Sequence, residues 1–322
     1  MLCHDDTLCG YALTLFRRGL SLARLYSLAI ADGQRGRGFA RHLLADAEDC
    51  ARRAGRAFLR LEVREDNRAA QALYRACGFR PFALCDDYYA DHARALRMEK
   101  RLSYPHPVTR RAVPYYAQST DFTCGPAALM MAMAAQDAST ALQQSHELAI
   151  WREATTIFMT SGHAGCGPHG LALAAWRRGH AVRLYLNRSD TLFARGVRSE
   201  QKRHVIALVQ REFERALAQT GVEQIDAVPT AAEIPALIGA GWLPLALIST
   251  WRINREKAPH WVVLSACDSQ FIYLHDPECR HHAGEDYAYL PVSHESFAQI
   301  ARFGGATRGQ SLRSLLLIGP RR

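Results

Sequence analysis

Apolar and polar residues follow one pattern from the start of the chain as far as Leu102. Short apolar or alternating runs, typical of strands, are separated there by segments with helical apolar spacing. We predict strands at residues 11–16, 25–30, 57–63, 81–85 and 95–101, and helices at residues 41–48 and 67–78, the second of which is capped by Asn67. Strands that alternate with helices in this way predict a compact α/β domain with a mixed sheet, which we place at residues 1–102.

Beyond Val113 the order of the predicted elements changes. Helices are predicted at residues 127–135, 142–152, 171–178, 200–219, 231–240 and 295–303, and strands at residues 182–186, 243–248, 261–265, 271–274 and 314–318. Because helices come first and strands gather towards the end, we predict an α+β domain at residues 113–322. Residues 103–112 contain two prolines and no periodicity, which predicts a short extended linker.

The strongest candidate for chemistry is Cys124, which opens the predicted helix of the second part. Pro126 suits a first helical turn, so the thiol lies at the positive end of the helix dipole, where a thiolate is stabilised. Gln118 lies on the preceding loop and can donate to an oxyanion. His260 comes just before one predicted strand, and Asp276 comes just after the next. The imidazole of His260 would take the proton of the thiol, and the carboxylate of Asp276 would hold the imidazole in the required tautomer. Alternatively, a lone buried cysteine packs as a small hydrophobe.

Four segments in this part resemble a known family. Val113-Pro-Tyr-Tyr-Ala-Gln118, Cys124-Gly-Pro-Ala127, His260-Trp261 and Asp276-Pro277 are similar to motifs of the papain-like bacteriocin-processing peptidases, which cut peptides after a double-glycine leader. The resemblance implies an α+β papain-like cysteine peptidase domain, a peptide or protein substrate, and site roles for Gln118, Cys124, His260 and Asp276. The exporters of that family also carry transmembrane helices and an ATPase. This sequence shows neither, so it predicts no exporter role and no strict double-glycine specificity.

A Gly-rich turn in the first part suggests an anionic ligand. Arg35-Gly-Arg-Gly-Phe-Ala40 follows a predicted strand and runs into a helix, so its backbone N–H groups and the helix N-terminus can approach a phosphate. Arg35 and Arg37 add positive charge. On its own such a turn is more often a plain helix entry. The plain alternative for Tyr74, on the helix predicted at residues 67–78, is an aromatic side chain that packs in the core.

Together with two further segments, this turn resembles the GNAT acetyltransferases. Leu61-Glu-Val-Arg-Glu-Asp-Asn67 and Leu73-Tyr-Arg-Ala-Cys-Gly-Phe79 are similar to the ribosomal-protein alanine acetyltransferases. The resemblance implies a GNAT-type mixed sheet with acetyl-CoA as cofactor and Glu62 as general base, while Tyr74 would protonate the departing thiolate. It implies cofactor contacts at Arg35, Gly36, Arg37, Gly38, Phe39, Ala40 and Asn67.

The GNAT-like part is expected to be incomplete at its N-terminus. GNAT domains begin with a strand and two helices that cover the acceptor groove, whereas here the first predicted strand already starts at Tyr11. The preferred explanation is a start codon assigned too late. The alternatives are that the peptidase domain covers the groove or that this half binds CoA without turnover.

Chain length and composition limit the classes of protein to which this chain can belong. A chain of 322 residues with 48% hydrophobic residues is long enough for two globular domains. Arg17, Arg18 and Arg24 interrupt the N-terminal candidate for a membrane span, and Met1 to Asp6 is acidic, so neither a membrane segment nor a secretory leader is expected. Nine cysteines without paired spacing favour a reducing compartment, which we take to be the cytoplasm.

Neither the charge of the chain nor its metal-ligating residues predict a nucleic-acid partner or a bound metal. The formal net charge is +9, but the 40 Lys and Arg residues are spread along the chain, which favours a solvated surface over a nucleic-acid site. His163, Cys166 and His169 lie three apart in a Gly-rich segment with no evident fourth ligand, so we predict a loop lining a cleft and no metal.

Three functions of different classes remain open from the sequence. The first is a bifunctional protein that cleaves a peptide with Cys124 and acetylates an amine. In the second, the GNAT-like half only senses CoA or binds substrate; in the third, the whole chain is a non-catalytic peptide-binding adaptor. Hydrolysis and acyl transfer at Cys124 begin with the same thioester, and the sequence does not separate them.

Overall fold

The chain forms two units, each with its own sheet. The structure is a computed structural model and describes residues 1–4, 7–16, 22–102, 109–157, 164–187, 193–194, 197–250, 259–278, 287–302 and 313–322. Backbone contacts divide the chain into Met1–His106 and Pro107–Arg322. The division falls inside residues 103–112, the stretch predicted as a linker.

The first unit is a mixed six-stranded sheet with two helices. Its elements are β1 (Leu2–His4), β2 (Thr7–Phe16), β3 (Leu22–Ile30), α1 (Phe39–Arg53), β4 (Phe58–Arg64), α2 (Arg68–Ala76), β5 (Arg80–Cys85) and β6 (Ala95–Arg101). The strand order is β1-β2-β3-β4-β6-β5, in which β3 and β4 run parallel. The predicted strands and helices of this unit are confirmed within a few residues. Strand β1 was not predicted, because three residues are too few to show a period.

The apolar spacing of α1 explains how this helix packs against the core of the first unit. Leu43, Leu44, Ala47 and Ala51 lie on one helix face and are buried. Leu44, Ala47 and Ala51 belong to a core that includes Leu59 from β4. Residues four apart meet on one side of a helix, so the pattern that predicted α1 also supplies its packing face.

Strands β3 and β4 separate part of the way along their length. Their parallel pairing runs from Leu22 opposite Phe58 to Leu25 opposite Leu61 and then stops. Both strands continue, β3 to Ile30 and β4 to Arg64. The two strand edges beyond Leu25 and Leu61 therefore have no ladder bonds to each other, which leaves a gap between the ends of the strands.

The second unit is an α+β domain with an eight-stranded sheet. Its elements are β7 (Thr109–Arg110), α3 (Cys124–Gln136), α4 (Gln144–Ala154), α5 (Pro168–Arg177), β8 (His180–Leu186), α6 (Glu200–Leu217), β9 (Glu223–Ile225), α7 (Ile234–Gly239), β10 (Leu243–Ser249), β11 (Pro259–Cys267), β12 (Phe271–His275), β13 (Leu290–Ser293), α8 (His294–Ile300) and β14 (Ser314–Arg321). The strand order is β13-β12-β11-β10-β14-β8-β9, and β7 pairs with β11.

Helix α3 forms the centre of the second core. Every residue from Cys124 to Met133 is buried, so the helix is apolar on all sides. Such a helix must be enclosed rather than laid on a surface. Its core includes Ile150 of α4, Leu171 of α5 and Val263 of β11.

The structure differs from the sequence-based expectation at several short elements. Thr109 and Arg110 were predicted as linker but pair with Cys267 and Ala266 of β11, because a strand edge can recruit two residues without any sequence signal. Strands β9 and β13 were also missed for their shortness. Helix α7 begins at Ile234, later than predicted, with Pro235 in its first turn. Among the described residues, no helix is long and apolar enough to cross a bilayer.

A glycine at the contact between α4 and α5 gives a stability prediction. A Cβ at Gly170 would lie 2.5 Å from the carbonyl oxygen of Ala154. The carbonyl oxygen is part of the backbone of α4 and cannot easily move aside, so Gly170→Ala is expected to lower the free energy of unfolding by about 1–3 kcal/mol. Urea unfolding would measure the difference.

The control substitution is Gly239→Ala near the end of α7, where a Cβ would meet no atom within 4 Å. This change is expected to be neutral or to stabilise by about 0.4–1 kcal/mol. Equal unfolding midpoints for the two variants would contradict the proposed contact.

Candidate active sites

A thiol, an imidazole and a carboxyl group meet in the second unit. Cys124 is the first residue of α3, and its thiol lies close enough to His260 to contribute to the raised pKa of that imidazole. His260 Nε2 lies 2.7 Å from Asp276 Oδ1. Because Asp276 occupies Nε2, Nδ1 is the ring nitrogen that remains for the thiol.

The register of two strands brings His260 and Asp276 together. Strands β11 and β12 are antiparallel, with Val263 opposite His275. Side chains alternate between the faces of a sheet, so Asp276 follows on the face that carries His260, whereas His275 lies on the other face. There, His275 bonds to Ser265 Oγ and to the carbonyl of Val113. This explains why the histidine adjacent to Asp276 in the sequence is not its partner.

The neighbours of His260 raise the pKa of its imidazole. Its side chain is 6% exposed, and burial disfavours the charge, but Asp276 and the Cys124 thiol outweigh burial and raise the pKa of His260 well above its usual value. An imidazolium beside a thiol favours the thiolate. The arrangement can therefore supply a nucleophile and an acid from neighbouring groups.

Gln118 lies on a loop that is attached to the same strand end. Its backbone N–H donates to the carbonyl of Pro277 at 2.9 Å, and the hydroxyl of Tyr115 donates to the carbonyl of Asp276 at 2.9 Å. The side-chain Nε2 of Gln118 donates to the carbonyl of Thr120. Thr120 in turn bonds to Thr123, the residue before Cys124. The structure therefore connects Gln118 both to the carboxyl group and to the start of α3.

The backbone N–H of Cys124 is a further candidate donor that sequence reasoning missed. The backbone N–H of Cys124 makes no hydrogen bond to any described residue, as expected for the first N–H of a helix. Its position beside the thiol makes it available to a carbonyl oxygen at the attacked carbon. The signal was present in the sequence, because Cys124 was predicted at the helix start.

Two other buried cysteines of the second unit have raised pKa values. Cys166 is buried, and burial together with the neighbouring Cys124 raises its pKa well above the usual value. Cys267 Sγ lies 3.6 Å from His294 Nε2, but burial and Asp268 raise the pKa of this thiol to about 11. Both thiols therefore remain protonated at neutral pH.

The predicted loop with metal-ligand spacing lies partly outside the described residues. His163 is not among them, Cys166 pairs with Thr155 in a short bridge, and His169 is buried in α5. Within the described ranges, no group of three or more His, Cys, Asp or Glu side chains is arranged to hold a metal ion.

The Gly-rich turn of the first unit has the conformation of a phosphate cradle. Gly36 and Gly38 have φ values of 79° and 83°, and a Cβ at either position would meet nothing within 4 Å. Among the described residues, the N–H groups of Gly36, Gly38 and Ala40 find no acceptor. Backbone donors that face open space at the start of a helix fit an anionic group.

The arginines of this turn are engaged by neighbouring residues. Arg35 forms an ion pair with Asp32 at 2.7 Å. Arg37 donates to Gln34 Oε1 at 2.6 Å and lies over the ring of Phe39. The arginines thus supply positive charge at the turn, while the backbone supplies N–H donors.

Two predicted residues lie on the helix that follows β4. Asn67 caps α2, with its Oδ1 accepting from the N–H of Ala70, so its predicted capping role is confirmed. Tyr74 is 8% exposed and packs against Phe79. Burial and the nearby Tyr89 raise the pKa of Tyr74, so its hydroxyl keeps its proton.

Glu62 lies where β3 and β4 separate, and it is paired with two arginines. Its Oε2 accepts from Arg24 Nε at 2.8 Å, and its Oε1 is 3.4 Å from Arg97 Nε. Its side chain is 10% exposed. Both carboxylate oxygens are thus engaged by guanidinium groups. The general-base role of Glu62 therefore stays a prediction, and sequence reasoning did not foresee either arginine.

Comparisons with known proteins agree with the division into two units. The chain belongs to the Peptidase_C39 like family, whose model matches residues 113–318. Its N-terminal part is an acetyltransferase (GNAT) family domain, matched over residues 1–79. Both resemblances seen in the sequence are thereby confirmed, as is the fold class of a GNAT-type α/β domain followed by a peptidase-like α+β domain.

Individual proteins with similar sequences or structures cover only part of the chain. The ribosomal-protein-S18-alanine N-acetyltransferase from Escherichia coli is 30% identical over 32% of this chain and 68% of its own, with a TM-score of 0.30. A Bacillus subtilis acetyltransferase in complex with CoA is 21% identical over 31% of this chain and 74% of its own, also with a TM-score of 0.30. An uncharacterized protein of Mycobacterium leprae is 40% identical over 87 residues, and the match spans 23% of that relative.

The state of the thiols gives a labelling prediction. At pH 6, iodoacetamide is expected to alkylate Cys124 well before Cys166 and Cys267, because the last two thiols have raised pKa values. Intact-mass and peptide mass spectrometry would report the order of labelling. His260→Ala should slow labelling of Cys124 without affecting the exposed Cys3 and Cys50. Unselective labelling of the wild type would favour the adaptor function instead.

Proposed function

We propose that the second unit is a cysteine peptidase that cleaves a peptide or protein substrate through Cys124, His260 and Asp276. The observation that carries the proposal is the hydrogen bond between the His260 imidazole and the Asp276 carboxyl group, with the Cys124 thiol near enough to raise the pKa of His260. The arrangement suits the chemistry of a cysteine peptidase. The carboxyl group holds the imidazole, and the imidazole takes the proton of the thiol, which becomes the nucleophile.

The steps of this reaction use groups described above. The Cys124 sulfur attacks the carbonyl carbon of the substrate, and its proton resides on His260. Charge that develops on the carbonyl oxygen would be stabilised by Gln118 Nε2 and by the Cys124 N–H. His260 then protonates the departing amine, and water or a second amine cleaves the thioester. Asp276 holds the imidazole throughout.

We further propose that the first unit binds acetyl-CoA and transfers its acetyl group to an amine. The N–H groups of Gly36, Gly38 and Ala40 would hold the pyrophosphate, and the free strand edges beyond Leu25 and Leu61 would face the pantetheine arm. When bound, the cofactor supplies an acetyl group as a thioester.

Three side chains of the first unit would act in acetyl transfer. Tyr74 would retain a proton on its hydroxyl, Asn67 would offer its carboxamide nitrogen, and Glu62 would accept a proton from the amine. The ion pairs of Glu62 with Arg24 and Arg97 favour a second candidate, in which this unit binds CoA without turnover. The cytoplasmic location and the lack of nucleic-acid or membrane partners stay predictions from composition.

The pH dependence of peptidase activity tests the role of Asp276. The carboxylate raises the pKa of His260, so the protonated imidazole persists above the usual pKa and is lost only as the pH rises through the raised value. In Asp276→Asn this support is removed, and the alkaline limb of kcat/KM is expected to move to lower pH. Hydrolysis of N-benzyloxycarbonylglycine p-nitrophenyl ester would measure it.

Asp137→Asn, at the end of α3, is the control and should leave the pH profile unchanged. If the alkaline limb of Asp276→Asn coincides with that of the wild type, Asp276 does not support the imidazolium. If Cys124→Ala hydrolyses the ester as fast as the wild type, the peptidase proposal fails.

Calorimetry with acetyl-CoA tests the cofactor site. In Gly38→Ala the new Cβ is strained by the positive φ, so the backbone of the turn must shift and its donors move. We expect affinity to fall at least about tenfold, in line with the loss of about one hydrogen bond to a charged group. Gly33→Ala is the control, because Gly33 has open space and no positive φ.

The outcomes separate the two candidate functions of the first unit. Absence of binding heat in the wild type would remove the cofactor proposal. Binding without consumption of acetyl-CoA in the presence of peptides with free N-termini would favour the binding module over the acetyltransferase.

A further inference from the structure

The loop that carries Gln118 is fixed on one side by the sheet. We call residues 113–120 the oxyanion loop. At its start, the carbonyl of Val113 accepts from His275 Nε2 at 3.2 Å. Further along, the N–H of Gln118 donates to Pro277. These bonds connect the loop to β12 and to the residues that follow it.

A buried carboxyl group fixes the other side of the oxyanion loop. Glu147 of α4 has no exposed surface. Its Oε2 accepts from the hydroxyl of Tyr116 at 2.9 Å, and its Oε1 accepts from the backbone N–H of Ser119 at 2.9 Å. Glutamate is almost never fully buried unless it is paired, because desolvation of the carboxylate must be offset by hydrogen bonds. Here both oxygens are satisfied by the same loop.

The position of Glu147 in its helix supports this arrangement. It lies in the first turn of α4, where the helix dipole favours negative charge. Burial and the hydrogen bond to Glu147 raise the pKa of Tyr116, so the hydroxyl remains a donor. A carboxylate at this position can therefore accept both bonds at the same time.

Two hydrogen-bonded backbone N–H groups lie on either side of the Gln118 Cα. Its own N–H is held by the carbonyl of Pro277, and the next N–H along the chain, that of Ser119, is held by Glu147. The two peptide planes on either side of the Gln118 Cα are thus both fixed. Fixing both planes sets the backbone dihedral angles of Gln118 and with them the direction in which its side chain leaves the loop.

We propose that Glu147 is a positioning residue that holds Gln118 in the orientation needed to bind the oxyanion. The inference rests on the proposed cysteine peptidase function and adds a residue outside the Cys124, His260 and Asp276 contact. Glu147 acts through Ser119 and Tyr116 and does not itself contact the substrate.

The expected effect is confined to the step in which an oxyanion forms. Loss of one oxyanion donor lowers kcat by about 10²–10³, and displacement of a positioned group by about 1 Å can cost about 10². Glu147→Leu removes both bonds and fills a similar volume. It is expected to lower kcat for N-benzyloxycarbonylglycine p-nitrophenyl ester by about ten- to a hundredfold, with little change in KM, because the interaction is made in the transition state.

Glu147→Gln is the matched conservative variant. Its Oε1 can accept from the Ser119 N–H, and its Nε2 can donate to the Tyr116 oxygen, so most of the rate should be restored. Alkylation of Cys124 by iodoacetamide builds no oxyanion. We therefore expect its rate in Glu147→Leu to match that of the wild type, whereas a merely structural role would reduce alkylation and hydrolysis together.

A double-mutant cycle with Gln118→Ala tests whether Glu147 acts through Gln118. If it does, adding Glu147→Leu to Gln118→Ala should have almost no further effect on kcat. Multiplicative losses, or wild-type kcat in Glu147→Leu, would overturn the inference. If Glu147→Leu fails to fold, Tyr116→Phe takes its place in the cycle, with an expected severalfold loss of kcat that is likewise absent in the Gln118→Ala background.

The two proposals fail in different ways. Ester hydrolysis that does not depend on Cys124 would contradict the peptidase function and, with it, the role of Glu147. Hydrolysis that depends on Cys124 and Gln118 but is unaffected at Glu147 would overturn only the present inference.

Discussion

The close approach of α3 to β11 is the constraint on which the second unit depends. A Cβ at Gly125 would lie 3.2 Å from Trp261 Cδ1, 3.1 Å from Leu171 Cδ1 and 3.3 Å from Cys166 Cβ. Gly125 follows Cys124 in the chain, and Trp261 follows His260. The space that a missing side chain leaves at Gly125 therefore lets the helix start and the strand meet, and their neighbouring residues, thiol and imidazole, come within reach of each other.

This contact places charge in the core, where it must be compensated. His260 and Asp276 are both largely withdrawn from water, which is costly for an ion pair unless hydrogen bonds satisfy its remaining atoms. Asp276 Oδ1 also accepts from the N–H of Glu278 at 2.9 Å. The oxyanion loop bonds to the carbonyls of Asp276 and Pro277, so the same strand end stabilises the ion pair and positions Gln118. Because these hydrogen bonds share one strand end, loss of any of them would also affect the others.

The candidate cofactor site of the first unit is built mainly from backbone. The turn at Gly36 and Gly38 offers N–H groups, and the separation of β3 and β4 exposes two strand edges. Backbone donors depend on conformation and not on side-chain identity, so such a site can persist while the nearby chemistry changes. The ion pairs of Glu62 are an example: the binding elements have the expected form, whereas the predicted base is engaged by two arginines.

Local physics made the elements and several site residues predictable. Apolar spacing identified α1, and a continuous apolar run identified α3. Asn67 was recognised as a helix cap, and Cys124 was placed at a helix start, because each depends on residues within one or two turns. The family motifs paired His260 with Asp276 although sixteen positions separate them in the sequence. Strands β1, β7, β9 and β13 were not predicted, since two to four residues carry no period.

Tertiary structure decided the features that depend on distant partners. The burial of Glu147 against the oxyanion loop, the two arginines at Glu62 and the separation of β3 from β4 join residues that no local pattern connects. The sequence by itself determined which segments are helix or strand and which residues can perform chemistry. Only the fold determined which hydrogen-bond partners those residues have, because a buried polar group is satisfied by whatever packing brings to it.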